Sequence, residues 1–150
     1  FVEAVIKDVR SKHKVDDRCV FTLSWSSGGP AAYAISLAEN SPVTGSFVAM
    51  SVFRPDQLPS LDRAKGHAYY IYHSPDDRVC SYRMAQQAEN MLKEKVAAVT
   101  LKTYPGGHGW KGGDIFGSIR TGIEWLERQH GDQAPSAGGG RKTLFSQPSP

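Results

Sequence analysis

The stretch CVFTLSWSSGGP, residues 19–30, changes character twice within a few positions. Residues 19–23 are a short apolar run, the SWSSGG segment that follows is small and polar, and residues 31–38 have helix-forming composition. Strand, tight turn and helix in immediate succession is the repeating unit of a parallel sheet covered by helices.

The same unit recurs downstream. Residues 46–50 (SFVAM) read as a second buried strand, followed by a loop with Pro55 and Pro59 and a little helix around 61–64. The aromatic run HAYYIY, 67–72, has strand composition. Its loop, 73–80, leads to a helix over 82–94 that turns Met84, Ala88, Met91 and Leu92 inward. A last strand lies within 96–104, and the glycine-rich loop PGGHGWKGG precedes a closing helix over 115–128, with Ile119, Ile123 and Leu126 on one face. Upstream, Val2, Val5, Ile6 and Val9 recur at helical spacing, which predicts a helix over 1–11 with one buried stripe. Strands apolar on both faces and alternating with helices predict an α/β fold whose parallel sheet is covered on each side.

Composition sets the outer bounds. A chain of 150 residues, 39% apolar and 22% charged, is ordinary globular material with enough length for one sizeable core. The formal charge of +3 is small, and the basic residues are scattered among acids apart from Arg141 and Lys142, so no nucleic-acid partner is implied. No run approaches the roughly 20 apolar residues of a membrane span, and residues 1–20 lack a signal-peptide pattern, so a soluble chain is expected. Cys19 and Cys80 form neither a CxxC pair nor a disulfide framework. Read as single thiols, they bound the compartment only weakly, with a lean to the cytoplasm. From Gly131 onward Gly, Ser, Pro and Gln dominate without periodicity. The expected organisation is a domain over 1–130 and a flexible tail over 131–150.

A serine set on a sharp turn between strand and helix needs small residues two positions to either side, so that strand and helix can approach. Ser26 meets the requirement with Ser24 and Gly28, whereas Ser27 would set Trp25 in one of those places. The backbone N–H of Ser27, at the start of the helix, is then positioned to hold an oxyanion. Activating the serine takes an imidazole and a carboxylate, supplied from loops at the C-terminal ends of later strands. Loop 73–79 offers Asp76 and Asp77, and loop 105–110 offers His108 between glycines that let the backbone bend. His13 and His130 fall in polar segments and His67 at a strand start, and are read as structural or surface residues.

At these positions the chain resembles the phospholipase/carboxylesterase branch of the α/β-hydrolase superfamily, which includes acyl-protein thioesterases and feruloyl-esterase-like enzymes. In that family the nucleophile motif ends in two glycines, as Gly28 and Gly29 do here, and the resemblance carries the nucleophile to Ser26. The acid loop there reads HGxxDxxVP; counted from His73, it selects Asp77 over Asp76. The base sits beside glycine, as His108 does in GGHGW. Ser24 stands where the family has its first glycine, Ser74 replaces the glycine after the loop histidine, and Cys80 and Ser81 replace Val-Pro.

The resemblance implies hydrolysis of a small-molecule carboxylic ester or thioester through an acyl-enzyme, with no metal and no organic cofactor. A serine peptidase of the prolyl-oligopeptidase type and an inactive hydrolase-like binding module are the alternatives. It also implies strands ahead of the nucleophile strand, one of whose loops supplies a second oxyanion donor. The chain has almost nothing before Cys19 and opens at Phe1. It is therefore expected to be the C-terminal half of such a domain, its sheet completed by a missing N-terminal half or by a partner chain.

Overall fold

The structure, a computed structural model, describes residues 1–111 and 113–131. Four strands, β1 (Phe21–Trp25), β2 (Gly45–Ala49), β3 (Ala68–His73) and β4 (Ala98–Thr103), pair in sequential order β1-β2-β3-β4. Every pairing is parallel. Helix α1 (Val2–Lys12) precedes β1, α2 (Gly29–Ser36) follows it, α3 (Tyr82–Glu94) joins β3 to β4, and α4 (Ile115–Gly131) closes the described chain.

Alternation along the strands gives the sheet two apolar faces. On one, Val48, Tyr69 and Ile71 meet Ala32, Tyr33 and Leu37 from the α2 region and Ala85, Ala88 and Leu92 of α3. On the other, Phe47, Ala49, Tyr70 and Tyr72 meet Leu126 of α4. The central strands β2 and β3 are buried at every position, which is why their sequences read as continuous apolar and aromatic runs. The helix α4 comes close because it carries a glycine at the contact. A Cβ on Gly122 would lie 2.3 Å from the Phe47 ring.

Three expectations need correction. The first strand begins and ends two residues later than the apolar run suggested, because its ladder with β2 extends to Trp25 opposite Ala49. The α1 stripe is not buried: α1 holds no buried residue, and Val5 and Val9 are exposed. Periodicity identifies an apolar face but says nothing about how far it is covered, and here Val2 and Ile6 of the stripe are half-buried while Val5 and Val9 are exposed. The closing helix runs on through Gly131, so the tail boundary at 131 falls inside a helix, and the His130 ring packs 5.9 Å from Phe21. The remainder of the predicted flexible tail, 132–150, lies outside the described residues.

Among the described residues no strand precedes β1, which forms one edge of the sheet. Leu23 and Trp25 on it are 46% and 54% exposed. No helix of the described chain is long and apolar enough to cross a membrane.

Candidate active site

The C-terminal ends of β1, β2, β3 and β4 and the loops beyond them bring Ser26, Asp77 and His108 together. Ser26 follows directly on the last residue of β1 and starts a single 3-10 turn, Ser26–Gly28, that runs into α2. Its φ of +48° lies in the left-handed region, a strained backbone for a residue with a Cβ. The turn is held from the next strand's loop, where the Ser51 hydroxyl donates to the Ser26 carbonyl at 2.7 Å.

The small residues of the turn divide their work differently from the sequence pattern. A Cβ on Gly28 would meet only the Ser24 Cβ, at an ordinary 3.5 Å. A Cβ on Gly29 would sit 1.9 Å from the Ser51 hydroxyl oxygen and 2.4 Å from its Cβ. Gly29 is therefore the position where α2 presses on the sheet. Ser27 stands in the first turn after Ser26, where helical geometry provides its N–H no backbone acceptor.

Asp77 and Asp76 part company in space. Asp76 is exposed, while Asp77 is buried with both oxygens engaged. Its Oδ1 accepts the N–H groups of Val79 and Cys80, each at 2.8 Å, and its Oδ2 lies 2.8 Å from His108 Nδ1. Burial by itself would push this carboxyl up; the Cys80 N–H, the His108 hydrogen bond, the Val79 N–H and the charge of His108 outweigh it and hold Asp77 below the usual carboxylate range. On the other side of the ring, His108 Nε2 is 3.0 Å from Ser26 Oγ. The three side chains form one hydrogen-bonded chain, with the ionised acid fixing the Nδ1–H tautomer and leaving the Nε2 lone pair toward the serine.

Much of what holds this chain in place was not apparent from the sequence. Ser74, fully buried, accepts the N–H groups of Gly107 at 3.0 Å and Asp76 at 3.2 Å, and so ties the loop of Asp77 to the loop of His108. His73 Nε2–H donates to the Cys80 carbonyl at 2.8 Å and lies 3.5 Å from Asp77 Oδ2. Burial pushes the His73 imidazole down, which favours that neutral donor form. The Tyr104 hydroxyl, its pKa pushed up to about 12 by burial and then by the Asp77 charge, donates to the Gly107 carbonyl at 2.8 Å. Gly109 N–H points at Met50 Sδ, 3.1 Å away. Gly107 and Gly109 have φ of +71° and +101°, the bend expected around the histidine.

Beside these three side chains lies Cys80, a buried free thiol. Its sulfur, an Asp77 oxygen and a His108 ring nitrogen all fall within 4.8 Å of one another, a donor cluster that spacing along the chain does not encode. His13 is exposed and His67 is half-buried at the start of β3, both away from this chain of contacts.

No protein-family profile and no curated protein matches the chain. Among solved structures it is similar to SOBER1 of Arabidopsis thaliana, with TM-score 0.60 and 23% identity, covering 85% of this chain and 60% of that one. The carboxylesterase of Bacillus cereus matches with TM-score 0.65 and 18% identity, over 85% of this chain and 58% of that one. Esterase 2 of Thermogutta terrifontis, solved as phosphorylated by paraoxon, matches with TM-score 0.63 and 13% identity, over 84% and 59%. The chain thus spans about three fifths of the length of these structures. The likeness establishes the fold, a parallel α/β sheet of the α/β-hydrolase type, which esterases share.

Proposed function

We propose that the chain carries the catalytic residues of a serine hydrolase that cleaves a carboxylic ester or thioester. One observation supports this reading above the others: the continuous contact from Ser26 Oγ to His108 Nε2 at 3.0 Å and from His108 Nδ1 to Asp77 Oδ2 at 2.8 Å. In the reaction, Ser26 Oγ attacks the acyl carbon as His108 Nε2 takes its proton, and Asp77 stabilises the imidazolium. The Ser27 N–H accommodates the oxyanion of the tetrahedral intermediate. His108 returns the proton to the departing alcohol or thiol, leaving an acyl-serine that water hydrolyses by the same steps. No step calls on a metal or organic cofactor. In the complete domain, a segment ahead of β1 or a partner chain supplies the second oxyanion donor.

An esterase that takes a phosphoryl group from paraoxon shares the fold, so an organophosphorus reagent is the natural probe. The full chain treated with a fluorophosphonate is expected to gain one adduct by intact mass, mapped to Ser26 by peptide sequencing. Absence of labelling supports the second reading, a hydrolase-like module without catalysis. That reading is favoured by the open β1 edge, where exposed Leu23 and Trp25 offer an unpaired strand to another segment.

A further inference from the structure

Cys80 is a buried thiol that the proposed mechanism leaves unused. The donor atoms around it are of three kinds: a thiol sulfur, a carboxylate oxygen of Asp77 and a ring nitrogen of His108, mutually within 4.8 Å. Sulfur, nitrogen and oxygen donors from one compact cluster suit zinc and related thiophilic cations. Metal–ligand bonds of roughly 2.0 to 2.3 Å set tetrahedral neighbours about 3.3 to 3.8 Å apart, so seating an ion takes shifts of up to about 1 Å: the most distant donors, within 4.8 Å, draw in, while Asp77 Oδ2 and His108 Nδ1, now 2.8 Å apart, spread to admit it. The base loop carrying His108 contains the left-handed glycines on either side of it, which suits movement of that size.

Charge also balances. A divalent cation with one carboxylate, one thiolate and one neutral imidazole sums to zero, the condition under which burial is tolerated. Asp77 can join without losing its anchoring, because Oδ1 retains the Val79 and Cys80 N–H groups while Oδ2, now facing His108, turns to the metal.

We propose that Asp77, Cys80 and His108 form an inhibitory site for a thiophilic divalent cation, with Zn²⁺ as the defining ligand, that switches off Ser26 by reversing the His108 tautomer. The inference rests on the catalytic reading given above. In the free site Cys80 carries its thiol proton, and His108 carries its own on Nδ1, shared with Asp77. The cation takes the Nδ1 lone pair, the ring proton moves to Nε2, and the Cys80 proton leaves to solvent. One proton is released per cation bound, and no electron changes hands. Nε2–H then donates to Ser26 Oγ, 3.0 Å away, and can no longer accept its proton.

The test uses the full chain, freed of metal by dialysis against a chelator. Cobalt(II), as the spectroscopic stand-in for zinc, is expected to give a thiolate-to-cobalt charge-transfer band at one equivalent, lost in Cys80→Ala and kept in Cys19→Ala. Zinc is expected to slow fluorophosphonate labelling by a factor on the order of 10⁴ at saturation, the scale of loss a wrong tautomer carries, with recovery on adding chelator. In Cys80→Ala the labelling rate is expected to be the same with and without zinc. No charge-transfer band in the parental chain, a band removed by Cys19→Ala, or equal slowing of Cys80→Ala by zinc would each overturn the site. Should the metal-free parental chain resist labelling altogether, the catalytic reading fails, and the cobalt band with its Cys80 dependence decides the metal site alone.

Discussion

Exchange of the two neighbouring glycines of the turn for alanine separates this structure from the sequence pattern. In Gly29→Ala the new Cβ would lie 1.9 Å from Ser51 Oγ, 2.4 Å from Ser51 Cβ and 3.1 Å from Val48 Cγ1. The Ser51 hydroxyl can rotate away, but its Cβ cannot move without its backbone, so the α2 N-terminus must lift from the sheet. Overpacking of this kind costs about 1 to 3 kcal/mol. Loss of the Ser51 bond to the Ser26 carbonyl adds about 1 kcal/mol, for a total of roughly 2 to 4 kcal/mol. In Gly28→Ala the new Cβ meets only Ser24 Cβ at 3.5 Å, and the backbone at φ −76° and ψ −20° already suits alanine. Reduced freedom in the unfolded chain then leaves stability unchanged or raises it by up to about 1 kcal/mol. Urea unfolding followed by tryptophan fluorescence measures both, and fluorophosphonate labelling reports whether Ser26 keeps its place. Gly29→Ala is expected to be destabilised and slow to label, Gly28→Ala neither. The reverse ranking, or equal loss in both, would refute the assignment of the close contact to Gly29.

Further outcomes follow from the loops and from two half-buried histidines. Asp77→Asn is expected to lower the labelling rate by a factor on the order of 10³ to 10⁴, while Asp76→Asn, at an exposed position, changes it little; comparable losses would remove the distinction between the acids. Ser74→Gly restores the residue the family resemblance calls for, yet it removes the acceptor for Gly107 and Asp76 N–H, so urea unfolding should show a loss of about 1 to 3 kcal/mol. Burial lowers the His67 imidazole below its ordinary 6.5, with the nearby His130 adding to the effect, and burial lowers His130 as well. The unfolded chain therefore binds more protons below about pH 6.5: stability is intact above that value and falls as pH drops through the depressed folded values. Urea midpoints compared at about pH 7.5 and pH 5.5 should show the decline, and His67→Asn should shrink it. An unchanged midpoint in the parental chain would contradict the sign.

What the sequence disclosed was local. The HAYYIY run announced β3, and small Ser24 and Gly28 around Ser26 announced a turn, since composition and spacing within a few residues set both. The selection of Asp77 over Asp76 came from resemblance alone, and spatially it corresponds to the buried member of the pair. Hidden from the sequence were contacts between residues far apart in the chain. Ser51 on the Ser26 carbonyl, Ser74 on Gly107 and Met50 under Gly109 are polar or sulfur atoms whose partners lie in other loops. No periodicity encodes them. For the same reason the α1 stripe was legible as apolar while its exposure was not.

If Ser26 and His108 act as one unit, a double-mutant cycle on hydrolysis of a p-nitrophenyl acyl ester exposes their coupling. Ser26→Ala and His108→Ala should each lower kcat by a factor on the order of 10⁴ to 10⁶, and the double variant should lose little more than either single one. Hydrolysis by Ser26→Ala at the parental rate, with contaminating esterases excluded, would remove Ser26 as the nucleophile.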